Sequence, residues 1–178
     1  GIPNPILVEN HARNKEKIIQ SQANLGIAFD GDFDRCFFFD HNGDFIPGEY
    51  IVGLLANVFL LKEPGATIVH DSRAIWNIQD IVKRNGGKSA LSLTGHSYVK
   101  RTMRKNKAVY GGEMSAHHYF KDFSYCDSGM IPWLLIVELL SKTQRTLSSL
   151  VSDQKLKFPS SGEQNFNLKN IDLSIERV

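Results

Sequence analysis

The chain has 178 residues, 42% hydrophobic and 22% charged, proportions that suit a soluble globular protein and argue against a disordered one. Its net charge of +2 is too small to argue for a nucleic-acid partner. No apolar run reaches the roughly 18 residues that a membrane-crossing helix needs, since "MIPWLLIVELL" is short and carries Glu138.

In chain order, residues 12–22 predict a helix, 25–30 a short buried strand and 35–39 a second strand. Asn42-Gly43 marks a tight turn, because both residues tolerate positive φ. A helix over 49–61 closes at Pro64-Gly65. Strand 66–71, helix 74–87, strand 88–93, helix 96–106 and a strand over 108–115 that runs into a loop follow. A strongly apolar helix over 127–142, with Asp127 or Ser128 as N-cap, and a last helix over 146–157 complete the series. The alternation predicts an α/β fold, a mixed sheet with flanking helices. The basic run Lys100 to Lys107 reads as the solvated face of a helix. Cys36 and Cys126 are far apart and lie in apolar surroundings, which predicts buried free thiols in a reducing compartment.

The stretch "GIAFDGDFDRCFFFD" (26–40) carries the chemistry. Asp30, Asp32 and Asp34 repel one another unless a cation sits among them, and hard oxygens converging on a point suit Mg²⁺ or Ca²⁺. Gly31 is expected to supply the sharp backbone turn. A solvated acidic turn is the plain alternative, disfavoured by the apolar runs on both sides. An EF-hand fails, because its sixth and twelfth positions hold Arg35 and His41. A phosphatase with an aspartyl nucleophile also begins with a buried strand and Asp-x-Asp. Phe33 follows Asp32 where Gly-Thr is usual, so that reading stays as a remote alternative.

Four phrases in order then resemble the α-D-phosphohexomutases, closest to their bacterial phosphomannomutases. "DGDFDR" (30–35) resembles the family's metal loop, "HDSRAIWN" (70–77) the segment with an active-site basic residue, "TGHSYVK" (94–100) its Thr-Gly-His loop and "GEMSAHHYF" (112–120) its sugar-binding loop. The resemblance spans essentially the whole chain. It implies a four-domain enzyme, of which residues 1–40 are the end of domain two with the metal loop. Residues 41–153 are then the sugar-binding domain three, and 154–178 a linker and the start of domain four. Both termini look cut from something longer. The phosphoserine and the final phosphate clamp belong to absent parts, so this fragment is expected to be inactive alone.

The family resemblance implies Mg²⁺ held by Asp30, Asp32 and Asp34. Arg35 is the donor to the phosphate, with a structural salt bridge as its alternative. Glu113 and Ser115 would contact sugar hydroxyls, with Gly111-Gly112 allowing close approach of the ligand. His96 and His117 are the candidates for proton transfer, and Arg73 fits the basic position. His118 points away from His117 if the segment is extended. Ala116 replaces a more usual Gly. Trp76 is expected to pack within its helix, and Asp127 to cap one. The implied reaction interconverts mannose 6-phosphate and mannose 1-phosphate through a phosphoserine and a hexose 1,6-bisphosphate, in the cytoplasm, feeding GDP-mannose synthesis. A phosphoglucomutase or a dual-specificity enzyme is the alternative. Hexose phosphates are then the partners, with no nucleic acid or membrane.

Overall fold

A computed structural model describes residues 4–161 and Asn167. The expected start of a fourth domain, past Ser161, otherwise lies outside the described residues. The first described elements are a 3-10 turn, Val8–Asn10, and α1 (His11–Ser21). Strands β1 (Gly26–Phe29), β2 (Cys36–Phe39) and β3 (Phe45–Ile46) form an antiparallel sheet, with Phe29 opposite Cys36 at the end nearest the acidic loop. All four residues of β2 are buried. Each phenylalanine removed from water in this way contributes on the order of 2–3 kcal/mol.

The connection from β2 to β3, residues 40–44, is of a kind that the sequence only half predicts. Gly43 alone has positive φ, +75°. The Asp40 carboxylate accepts from the backbone N–H groups of Asn42 and Asp44, each at 2.9 Å, and so substitutes for a second left-handed residue. No side chain fits at position 43, because a Cβ would lie 2.7 Å from the Lys15 backbone.

After β3 come α2 (Gly48–Lys62), β4 (Thr67–Asp71), α3 (Trp76–Arg84), β5 (Lys88–Ser92), α4 (His96–Asn106) and β6 (Tyr110–Gly112). β7 (His118–Phe120), a 3-10 turn, β8 (Cys126–Asp127), α5 (Met130–Thr143) and α6 (Leu147–Lys157) complete the described chain. The second sheet has the order β5-β4-β6-β7-β8, with β4 parallel to both neighbours and β6, β7 and β8 antiparallel. This is the mixed α/β architecture that the alternation predicts.

Gly111 and Gly112 show how the layers stack. A Cβ on Gly111 would press on Met103 and Val99 of α4, and one on Gly112 would press on Val52 of α2. Successive residues of a strand face opposite ways, so β6 is sandwiched between two helices. These glycines serve helix packing rather than close approach of a ligand, which corrects the sequence expectation. The larger core gathers around Phe38, Ile51, Leu55, Ile68 and Ile136, and a smaller one of Val69, Val99, Met103, Ala108 and Tyr119 lies beneath α4.

Two further expectations change. The helix predicted over 127–142 starts at Met130, because Cys126 and Asp127 pair with Phe120 and Tyr119 as β8. Ser128 takes the capping role, its Oγ accepting from the N–H of Met130 at 3.1 Å, while Asp127 pairs with Lys100 at 2.7 Å. Trp76 is 75% exposed and does not pack within its helix. Both cysteines are free, Cys36 buried and Cys126 half-buried. Among the described residues, no helix is long and apolar enough to cross a membrane.

Candidate active site

The acidic loop starts from the rigid β1–β2 hairpin. Asp30 is buried, and Arg35 holds both its oxygens: the backbone N–H donates to Oδ1 at 3.2 Å and Nε to Oδ2 at 2.8 Å. Burial pushes the Asp30 carboxyl up, but the hydrogen bonds from Arg35 outweigh it and leave it below the ordinary carboxylate range. The Nε of Arg35 is thereby committed to Asp30. Asp32 is exposed. Burial raises the Asp34 carboxyl, and His117 offsets only part of the rise.

Asp30, Asp32 and Asp34 each offer an oxygen within 4.8 Å of the others'. Asp34 Oδ1 is buried without a hydrogen-bond partner, with Arg35 Nε 3.8 Å away. Three converging hard oxygens, one lacking a donor, fit a divalent cation of the Mg²⁺ kind. The turn is made by Phe33, which has φ +65° and an exposed ring, not by Gly31, whose φ is not positive. A bulky residue at positive φ is uncommon and strained.

The second wall is the loop between β6 and β7. The N–H of Ala116 donates to Glu113 O, and that of Glu113 to His117 O, each at 3.0 Å, so the loop folds back on itself. Ala116 sits at φ +69°, in the left-handed region that favours Gly. The two walls are stitched together: Cys36 N–H donates to Ala116 O at 3.3 Å, and Arg35 and His117 form an isolated antiparallel bridge. His117 Nε2 thereby comes within 3.3 Å of Asp34 Oδ2, while its Nδ1 lies 3.2 Å from Ser115 Oγ. Gly48 at the start of α2 packs against the same loop; a Cβ there would be 2.4 Å from Met114 O.

Glu113 is 1% exposed, and both its oxygens are in use. Oε1 accepts from Gly95 N–H at 2.8 Å and Oε2 from the Tyr119 hydroxyl at 2.5 Å. This carboxylate, expected to face sugar hydroxyls, here braces the 94–96 loop against the 113–117 loop. His118 points to the opposite face, as expected, and is fully buried against the Tyr110 hydroxyl at 2.7 Å.

The remaining candidates lie further apart. His96 is exposed at the first position of α4, and among the described residues its ring bonds to none of the acidic or histidine candidates. Arg73 is held by the buried Asp71, with Nε and a terminal nitrogen each 2.8 Å from Oδ2. It shares a cavity of about 230 Å³ with Ser115, Met114 and Glu49. Tyr119, Gly95, Lys100 and Asp127 were missed from sequence, where Tyr119 looks like core. Asp34, His117 and Asp127 also offer ligand atoms within 4.8 Å of one another.

A sequence model of "Phosphoglucomutase/phosphomannomutase, alpha/beta/alpha domain III" matches residues 47–158. The chain belongs to this family. It is similar along its whole length to a phosphomannomutase of Escherichia coli, at 57% identity, and to one of Vibrio cholerae, at 59%. It spans 39% of the length of each of these relatives. A solved phosphoglucomutase/phosphomannomutase family protein of Burkholderia thailandensis, 32% identical, superposes with a TM-score of 0.79 over 84% of this chain and 33% of its own. Membership of the phosphoglucomutase/phosphomannomutase family leaves the aspartyl-phosphatase alternative without support.

Proposed function

We propose that this chain forms the metal-holding and sugar-holding walls of a cytoplasmic phosphomannomutase. The whole enzyme interconverts mannose 6-phosphate and mannose 1-phosphate through a phosphoserine outside this chain and a hexose 1,6-bisphosphate. The observation that carries the reading is the 3.3 Å approach of His117 to Asp34, which joins the acidic loop to the Glu-Met-Ser loop. The identity of 57–59% with bacterial phosphomannomutases supports it.

Phosphoryl transfer asks the protein mainly for position and charge. Asp30, Asp32 and Asp34 would hold Mg²⁺, which when bound would supply positive charge beside the phosphate. An N-acetylphosphoglucosamine mutase of Aspergillus fumigatus was solved with GlcNAc-6P and magnesium. The Arg35 guanidinium, anchored to Asp30 through Nε, offers its terminal nitrogens as a fork to a phosphate. His117 moves a proton at the attacking or leaving hydroxyl, with His96 as the second candidate. Ser115 and Glu113 recognise sugar hydroxyls, Glu113 by exchanging or sharing its present donors. Arg73 binds a phosphate from the far side of the Ser115 cavity.

A coupled assay of the full-length protein tests the reading, with mannose 1-phosphate consumed and mannose 6-phosphate formed as the expected result. No turnover of any hexose phosphate overturns it. The family description also names phosphoglucomutase, so the ratio of kcat/KM for mannose and glucose phosphates decides between single and dual specificity. The 178-residue chain alone is expected to show no turnover.

A further inference from the structure

We propose that Tyr119 is a positioning residue for sugar recognition, its buried hydroxyl holding the Glu113 carboxylate so that the 94–96 and 113–117 loops act as one piece. The inference rests on the sugar-phosphate reading above. Tyr119 is fully buried, and its hydroxyl donates to Glu113 Oε2 at 2.5 Å. A hydroxyl donating to a carboxylate is among the shorter and stronger hydrogen bonds in proteins. Glu113 needs it, because burial withholds water and His117 Nδ1 stands 3.7 Å from Oε2, too far for a hydrogen bond.

The other end of the clamp is equally fixed. Gly95 has φ +117° and ψ 139°, a conformation open to glycine and costly for any residue with a Cβ, and its N–H is aimed at Oε1. Gly95 precedes α4, so a shift of the carboxylate is passed to His96. Tyr119 itself is a firm base. It pairs with Gly111 and Asp127 in the sheet and packs in the cluster of Val99 and Met103. The His117 ring stacks on it at 6.2 Å, and Lys100 Nζ lies 5.7 Å from its ring centroid. Burial, and after it Glu113, keep the phenol protonated and thus a donor across the working pH range.

Tyr119→Phe keeps the ring and removes only the donor. In the full-length enzyme we expect KM for the hexose phosphate to rise about tenfold, the worth of one charge-assisted hydrogen bond, with kcat changed less than twofold. The effect should vanish in a Glu113→Gln background, since both changes break the same link. Amide hydrogen exchange at Gly95 should quicken about tenfold in the full-length Tyr119→Phe protein, and this reads the clamp whether or not the enzyme turns over. An unchanged KM in an active enzyme, a purely additive double variant, or unchanged Gly95 exchange overturns the proposal. Inactivity of the unmodified enzyme overturns the functional reading instead, and Gly95 exchange then still decides whether the clamp exists.

Discussion

His117 Nε2 stands 3.3 Å from Asp34 Oδ2, although 82 residues separate them in the chain (117 − 34 − 1). The backbone bridge between Arg35 and His117 holds the two loops side by side next to this contact. The imidazole is the main group that draws the Asp34 carboxyl down against burial. His117→Ala is therefore expected to move the Asp34 titration to higher pH, followed by carboxyl-carbon NMR. A shift the other way, or none, contradicts the electrostatic link.

Asp30 and Asp32 should behave differently when truncated. Asp32 is exposed, so Asp32→Ala should weaken Mg²⁺ binding at least tenfold by calorimetric titration while changing stability by no more than about 0.5 kcal/mol. Asp30→Ala leaves the Arg35 guanidinium without its partner and should cost roughly 3 kcal/mol, the low end for a broken buried pair because Arg35 is 27% exposed. Urea denaturation separates the two cases.

Gly48→Ala places a methyl where only 2.4 Å separates it from the Met114 carbonyl. Backbone has to yield, so a loss of about 1–3 kcal/mol is expected, with the Glu-Met-Ser loop displaced. A crystal structure of the variant with that loop unmoved and full stability rules this packing out.

His118 sets a pH dependence. Burial pushes its pKa down from 6.5 to about 3, so the folded state keeps it neutral while the unfolded state takes up a proton below 6.5. Its stabilising contribution is whole above 6.5 and is lost as pH falls towards 3. Each pH unit in that window costs about 1.4 kcal/mol, and buried His70, also shifted down, adds in the same direction. Unfolding free energies at pH 7.5 and 5.5 should show this slope, and His118→Gln should flatten it.

Ala116 marks a local compromise. At φ +69° its methyl is strained but buried, so Ala116→Gly should fall within about 1 kcal/mol of neutral. Ala116→Val brings a β-branched side chain to the same φ and should cost at least 2 kcal/mol. Thermal melts of the pair check the contrast.

The long elements were legible because their patterns run for whole turns. Helix α4 was predicted at its observed bounds, and the β1–β2 hairpin with its acidic loop was visible as two apolar runs around three aspartates. Strands β3, β7 and β8 have two or three residues each, too few for alternation to register. Trp76 was misjudged because nothing local tells an exposed helix start from a packed one. The acidic triplet and the Glu-Met-Ser loop could be named from sequence, yet their stitching could not. It depends on a carbonyl of Ala116 meeting an amide of Cys36, and backbone groups leave no trace in a list of side chains. The bond from Gly95 N–H to Glu113 was hidden for the same reason, and the one from the Tyr119 hydroxyl because nothing in the sequence tells which side chains meet.

The bridge at Arg35 and His117 joins the start of β2, the central strand of one sheet, to the start of β7, an inner strand of the other. Shear between these two slabs has nowhere to dissipate at that hinge point. A ligand, a crystal force or a distant substitution that slides one slab over the other is felt at once as a wider or narrower gap between imidazole and carboxylate. The spacing of imidazole and carboxylate is thus geared to the packing of the two sheets, and its fidelity depends on residues far from either group.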